Sequence, residues 1–469
     1  MVAMVLAALD QTILAAAIPA IAGDLGNFAD VSWLASAYLI AVTVTAPVYG
    51  HLGDRFGRRR MLYVALTLFV LASLACSLAT SLSMLIVART LQGMGGGGLM
   101  TLSQALISEQ VPPRERGRYQ GYFAGLFAVS STLGPVLGGY LTQHASWRAV
   151  FLINLPLGIV AGILARRVPY TPGHRDGPFR PDVLGTVLFA LGACTLLFAL
   201  SSGGHRIAWS SPLLLGLVAV AVGAFALLYV WERRIDDPVI PVALLSQAGI
   251  LRSNIVVVTF GATLFALILY LPLFLQLSRS AGVGESGLLL LPVTLTIAMA
   301  ALITGRYIAR TGRITMPPVV GLSTSTLGLL TLAAIVHSAP TWLVLSLIVV
   351  IAMGLGTVMP ACQIIVQDTA GPRSLGSATA SVSVSRAFGG ALGSALAGVL
   401  LYLMLAGDGS AFSSVLARVG DAAPGAMPPA DRLALSVRVN DAFRLMFLIL
   451  SGITAFGAVM AFSIPQRRI

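Results

Sequence analysis

The chain has 469 residues, 57% hydrophobic and 10% charged, with a mean hydropathy of +0.91; a soluble globule of that composition would lack polar surface. The formal net charge of +12 comes with no lysine at all, which removes a P-loop ATPase and a pyridoxal Schiff base and leaves an ion gradient as the expected energy source. The arginines sit in short loops between apolar runs, with no contiguous basic face carrying stacking groups, so nucleic acid is not an expected partner.

Apolar runs of roughly twenty residues follow one another along the whole chain, each long enough for a bilayer core of ~30 Å. They occupy 2–23, 31–50, 61–80, 83–106, 119–142, 149–166, 183–201, 212–231, 253–275, 287–305, 316–336, 341–366, 377–405 and 443–464. These runs predict an all-α integral membrane protein with about fourteen transmembrane helices. The first run has no basic stretch before it and carries Asp10, so it reads as a span and not as a cleaved signal. With the N-terminus inside, Arg55, Arg58, Arg59 and Arg60, Arg114, Arg116 and Arg118, and Arg306, Arg310 and Arg313 all fall on the cytoplasmic side. There they meet anionic lipid headgroups. Both termini are then cytoplasmic. Arginine-only usage fits a GC-rich bacterial genome and hence a bacterial inner membrane.

The two ends of the chain repeat one another. Gly50, Arg55, Gly57 and Arg58 align at constant offset with Gly305, Arg310, Gly312 and Arg313, while Asp54 falls on Ala309. Gly95, Gly97, Gln104, Glu109, Pro113 and Gly117 align in the same manner with Gly354, Gly356, Gln363, Asp368, Pro372 and Gly376. Parallel repeats of this kind place a site between two bundles in secondary transporters. The repeat divides the chain into a six-helix bundle at 1–167, a two-helix insert with its linkers at 168–249, and a second six-helix bundle at 250–469. A long external loop is expected at about 406–442, from its Gly and Pro clusters, with room for a short amphipathic helix.

Several motifs carry chemistry. The loop Gly50-His51-Leu52-Gly53-Asp54-Arg55-Phe56-Gly57-Arg58 joins an acid to arginines, a breakable charge-assisted contact. Asp10 lies ~14 Å along its helix, where an ionised carboxylate is costly, so it is the leading candidate for taking up and releasing a proton. The alternative is a structural acid bonded to hydroxyls such as Thr12. Arg89, inside the fourth run, must face a cavity or a partner, or else snorkel to the interface. Gly95–Gly98 reads as close helix packing, and so do Gly121, Gly134, Pro135, Gly138 and Gly139 in the fifth run. Cys76, Cys194 and Cys362 have no ligand spacing, and His51, His144, His174, His205 and His337 form no relay. No metal, cofactor or enzymatic nucleophile is expected.

These motifs resemble the major facilitator superfamily, and more narrowly its fourteen-span drug:proton antiporters of the EmrB/QacA type. The resemblance rests on Gly50–Leu62, on Arg89-x-x-Gln92-Gly93 with Gly95–Gly97, on Gly134-Pro135-Val136-Leu137-Gly138-Gly139, and on Leu9-Asp10-Gln11-Thr12. Ala15 stands where many members carry Asn, and Ser130 where many carry Gly. The resemblance implies a major facilitator fold and a cytoplasmic gate made by Gly50, Asp54, Arg55, Gly57 and Arg58. It further implies that Arg89 biases a nearby carboxylate, so the proton-coupling candidates are Asp10 and Arg89. Tyr38, Gln92, Phe123, Phe127, Gln276 and Arg386 are the candidates for the substrate cavity; Arg386 could equally reach a gate or pair with an acid at the cytoplasmic end. The expected function is proton-coupled export of amphipathic drugs or other small organic compounds. A dedicated exporter of a sugar, amino-acid derivative or siderophore is the alternative, and a transport-dead sensor a distant third. Partners are lipid, protons and a small-molecule substrate; some relatives add a periplasmic adaptor and outer-membrane channel, but no docking site is marked here.

Overall fold

A computed structural model describes residues 1–26, 31, 33–170, 172, 181–203, 207, 209–279, 289, 291–405 and 429–468. Among them are helices only, apart from two isolated bridges. The first repeat holds α1 (Val2–Leu25), α2 (Trp33–Phe56), α3 (Arg58–Ser77), α4 (Leu82–Gln110), α5 (Pro113–His144), α6 (Ala149–Leu152) and α7 (Asn154–Ala165). Next come α8 (Val183–Ser202), α9 (Pro212–Glu232) and the short α10 (Val242–Leu245). The second repeat holds α11 (Ala248–Arg279), α12 (Leu291–Thr311), α13 (Met316–Ile335), α14 (Thr341–Gly356) and α15 (Val358–Ala370). After a 3-10 turn at Pro372–Ser374, α16 (Leu375–Leu405) and α17 (Pro429–Phe462) complete it.

Twelve helices among the described residues are long and apolar enough to cross a membrane, where the sequence led us to expect fourteen. The other two expected spans fall on α4 and on the Ala149–Ala165 segment. In α4 the polar Arg89 and Gln92 and a run of glycines pull down the hydropathy. The Ala149–Ala165 segment is short and broken at Ile153. The expected external loop lies partly outside the described residues, at 406–428; from Pro429 onward the chain is helical, so α17 begins well before the expected span.

Apolar side chains pack inward in each repeat. One core joins Phe260, Phe274, Leu322, Ile348, Phe443 and Phe447 of the second. Two others lie in the first, around Tyr38, Phe69 and Leu99 and around Ile13, Leu34 and Phe151. Large apolar residues such as Leu71, Val87, Val136, Leu213 and Trp342 stay exposed on the outside, as a lipid-facing surface requires. The repeats meet along two seams, α2 against α16 and α5 against α12. A methyl built on Gly50 would lie 2.6 Å from the Gly376 carbonyl oxygen, and one built on Gly117 2.6 Å from that of Gly305. Because Gly50 aligns with Gly305 and Gly117 with Gly376, the repeat exchanges these two backbone contacts. Gly57 and its counterpart Gly312 both take positive φ, 93° and 68°, at the turns after α2 and α12, which accounts for their retention in both copies. The α8–α9 pair lies beside the α2–α16 seam, with Phe198 stacked on Trp33 and Phe225 edge-on to Phe388.

Candidate functional site

Asp10, on α1, is fully buried and bound from three sides. Arg89 Nη1 donates to its Oδ2 at 2.6 Å, while Gln92 Nε2 and Asn154 Nδ2 donate to its Oδ1 at 2.8 and 2.6 Å. Arg89 and Gln92 stand three residues apart on one face of α4, so a single helix presents both donors. Gln92 Nε2 also donates to Ser73 Oγ at 2.7 Å, and Gln92 Oε1 receives Arg89 Nη1 at 2.7 Å. The Arg89 guanidinium lies 4.3 Å over the Tyr38 ring and 5.8 Å from that of Phe151. A charge this deep is tolerated when it is paired and hydrogen-bonded, and here both members are. Removing the charge of either one strands the other without water.

The second site lies at the arginine-rich end, where α2 meets the start of α16. Asp54, fully buried, accepts the backbone N–H of Gly376 at 2.8 Å and of Ser377 at 3.0 Å, and Ser377 Oγ at 3.2 Å. These are free donors of the first turn of α16, where a carboxylate is favoured by both hydrogen bonding and the helix dipole. Arg58, one turn on from Asp54, donates to it at 2.6 Å, reaches the Pro372 carbonyl at 2.9 Å and pairs with Glu109 at 3.0 Å. Arg55 turns the other way, to Asp237 in the segment after α9, at 2.6 Å; His51 lies 3.7 Å from the same carboxylate. The repeats also touch through an uncharged pair, Ser108 Oγ to Gln367 Oε1 at 2.7 Å, themselves aligned positions of the repeat.

The glycines of α5 serve two neighbours. Gly121 lies against Leu302 of α12, whereas Gly134 and Gly138 lie against Thr12 and Ile13 of α1, directly after Asp10. Pro135 is exposed inside the helix, and Gly139 has open space but for Ala16 at 4.0 Å. In α4, a methyl at Gly95 would meet Phe69 N at 2.7 Å and one at Gly97 the Val42 Cα at 3.2 Å, so that run packs between α3 and α2.

The cavity candidates separate on inspection. Tyr38 and Gln92 belong to the Asp10 cluster, and Phe123 is buried. Phe127, Gln276 and Arg386 are half-buried. Thr12 does not bond Asp10; its hydroxyl reaches the Ala8, Leu9 and Ser130 carbonyls. Sequence reasoning missed Asn154, Ser73, Glu109 and Asp237. Asn154 was within sight, as a polar residue inside an apolar run beside Pro156. Asp237 carried no signal, because its partner Arg55 is 182 positions away.

The description "Major Facilitator Superfamily" matches residues 1–394. The chain is 31% identical over 400 residues to "Multidrug transporter protein MdtP" of Bacillus subtilis (strain 168), covering 85% of this chain and 74% of that protein. It is 33% identical over 332 residues to "Efflux pump dotC" of Dothistroma septosporum (strain NZE10 / CBS 128990), covering 70% of this chain and 57% of that one. Among solved structures, the human organic anion transporter MFSD10 (TETRAN) superposes with a TM-score of 0.67 at 15% identity, over 98% of this chain and 97% of that chain. The proton:xylose symporter XylE superposes at 0.62 and 13%, over 99% and 94%. Both structural likenesses bear on the fold.

Proposed function

The chain belongs to the Major Facilitator Superfamily, and on that premise we propose that it is a proton-coupled exporter of amphipathic drugs or other small organic compounds, working by alternating access. The observation that carries the proposal is the Asp10–Arg89 pair, wholly buried inside the first repeat with its hydrogen bonds filled. Protonation of Asp10 removes half of a desolvated ion pair, and the bundle must rearrange to give Arg89 another partner. A proton then favours one conformation over the other, as coupling requires. The efflux proteins among the relatives support outward export.

In this reading the arginine-rich end is cytoplasmic and the Asp54 contacts are the closed cytoplasmic gate, with Arg55, Arg58, Gly50 and Gly57 as its working parts. The protein sits in a bacterial inner membrane with both termini inside. Residues 1–167 and 250–469 form the two moving units, and 168–249 form an insert whose trailing segment supplies Asp237 to the gate. Fourteen spans of the EmrB/QacA type follow if α4 and Ala149–Ala165 also cross; the burial of Arg89 among partners makes the low hydropathy of α4 no obstacle. The test is transport by the purified protein in proteoliposomes. An imposed proton gradient should move several unrelated amphipathic compounds, and a protonophore should stop them all. Movement of one solute alone would point to a dedicated metabolite exporter; movement that ignores the gradient would refute proton coupling.

A further inference from the structure

Three charged side chains among the described residues lie away from both ends of the molecule and from its outer surface: Asp10, Arg89 and Arg386. The first two neutralise one another at 2.6 Å. Arg386 has no ion pair and no side-chain hydrogen bond among the described residues, although it is half-buried about 16 Å into α16 at ~1.5 Å per residue. No residue from Leu375 to Gly390 is exposed, so the guanidinium does not face lipid. Among the described residues the interior therefore carries one carboxylate against two guanidiniums, an excess of one positive charge.

A second group without partners lies at the same level. Gln363 of α15 is 1% exposed, and neither its Nε2 nor its Oε1 has a hydrogen-bond partner. One turn below it on the same face, Gln367 donates to Thr379 of α16 at 3.0 Å, which fixes the register of the two helices. From that bond Gln363 is ~6 Å outward along α15 and Arg386 ~10 Å outward along α16. Helical side chains lean back toward the helix N-terminus, which returns the Arg386 head toward the level of Gln363. The first repeat builds a closed cluster from an arginine, a glutamine and an acid. The second has the arginine and the glutamine and lacks the acid. At the position aligned with Arg386 the first repeat has Phe127.

We propose that Arg386 and Gln363 form the head-group site for the cargo, and that the missing acid is the cargo's own carboxylate, so that the exported compounds are amphipathic organic anions. This rests on the export reading above and names its substrate class. A desolvated guanidinium gains most from a bidentate carboxylate, with Gln363 Nε2 as an added donor. A lipophilic cation would instead add charge to an interior already positive.

The test uses one naphthyl-alkyl scaffold with three heads: a carboxylate, a neutral amide and a trimethylammonium. Fluorescence binding to the purified full chain should favour the carboxylate by about tenfold or more over both others. Arg386→Gln should erase that preference, and Arg386→Lys should keep part of it. Gln363→Ala should weaken the carboxylate alone. An ammonium head bound as tightly as the carboxylate by the native chain, or a preference that survives Arg386→Gln, would overturn the assignment. The head-group comparison in the native chain needs no variant to fold. Transport of the three probes under a proton gradient separates the two claims. Export of the ammonium compound alone would sink the anion site and keep the exporter. A carboxylate preference in binding with no movement of any probe would keep the site and count against export.

Discussion

Replacing Asp54 by asparagine should unlatch the arginine-rich end. The side chain keeps its size, but one carboxylate oxygen becomes an NH2 that faces donors. Asp54 Oδ2 receives Ser377 N at 3.0 Å and Ser377 Oγ at 3.2 Å; Oδ1 receives Gly376 N at 2.8 Å and Arg58 at 2.6 Å. Only one of these oxygens survives as an acceptor. Two bonds across the seam are lost, each of a charged-acceptor type worth roughly 1.5–3 kcal/mol. The carboxylate's interaction with the start of α16 goes as well, at about 0.3–1 kcal/mol. Water recovers part of the sum once the end opens, which leaves about 3 kcal/mol, or roughly a 150-fold shift toward the open form. Nitroxide labels at the exposed Arg60 and Arg373, with Cys76, Cys194 and Cys362 replaced, report the separation across this seam by pulsed dipolar spectroscopy. The native chain should show the short distance and Asp54→Asn mainly the long one. An unchanged distance distribution, or a shift below about threefold, would refute the reasoning that this contact holds the end shut.

Two further outcomes follow from the same geometry. Arg89→Ala strands the buried Asp10 and should cost about 3–5 kcal/mol in thermal unfolding, whereas the Asp10→Asn/Arg89→Gln double variant should recover more than half of that. Equal melting of Arg89→Ala and native protein would show that the pair is not desolvated. Gly117→Val pushes a side chain into the Gly305 backbone, where a methyl already sits 2.6 Å from the carbonyl oxygen. It should hold the α5–α12 seam open and stop transport, because backbone cannot move aside as a side chain can; transport at the native rate would mean that the two glycines need not touch.

How far the sequence reaches depends on whether a feature is local. Gly57 and Gly312 stood out in the sequence as aligned positions of the repeat, and their positive φ in the structure is a property of each residue alone. The alignment pairs Gly50 with Gly305 and Gly117 with Gly376, which makes the Gly50–Gly376 and Gly117–Gly305 contacts counterparts of one another, but neither contact is visible before the two halves are brought together. The likeness of α1 and α4 to known motifs brought Asp10 and Arg89 forward, but nothing in a linear chain places residues 79 positions apart at 2.6 Å. Gln92 was assigned to substrate because its spacing looks the same whether α4 turns it to a cavity or to α1. Asn154 and Asp237 were missed for the reverse reason, each being polar with a distant partner. The span count differed at two places: Arg89, Gln92 and the glycines lower the hydropathy of α4, and the Ala149–Ala165 segment is short and broken at Ile153.

The most direct test of the central claim is proton release from energised inverted vesicles when an exported compound is added, comparing the native chain with Asp10→Asn. The account predicts cargo-evoked proton movement in the native protein and none in the variant, with the variant still folded and still binding cargo. Equal proton movement in both would contradict it and remove Asp10 from the coupling site.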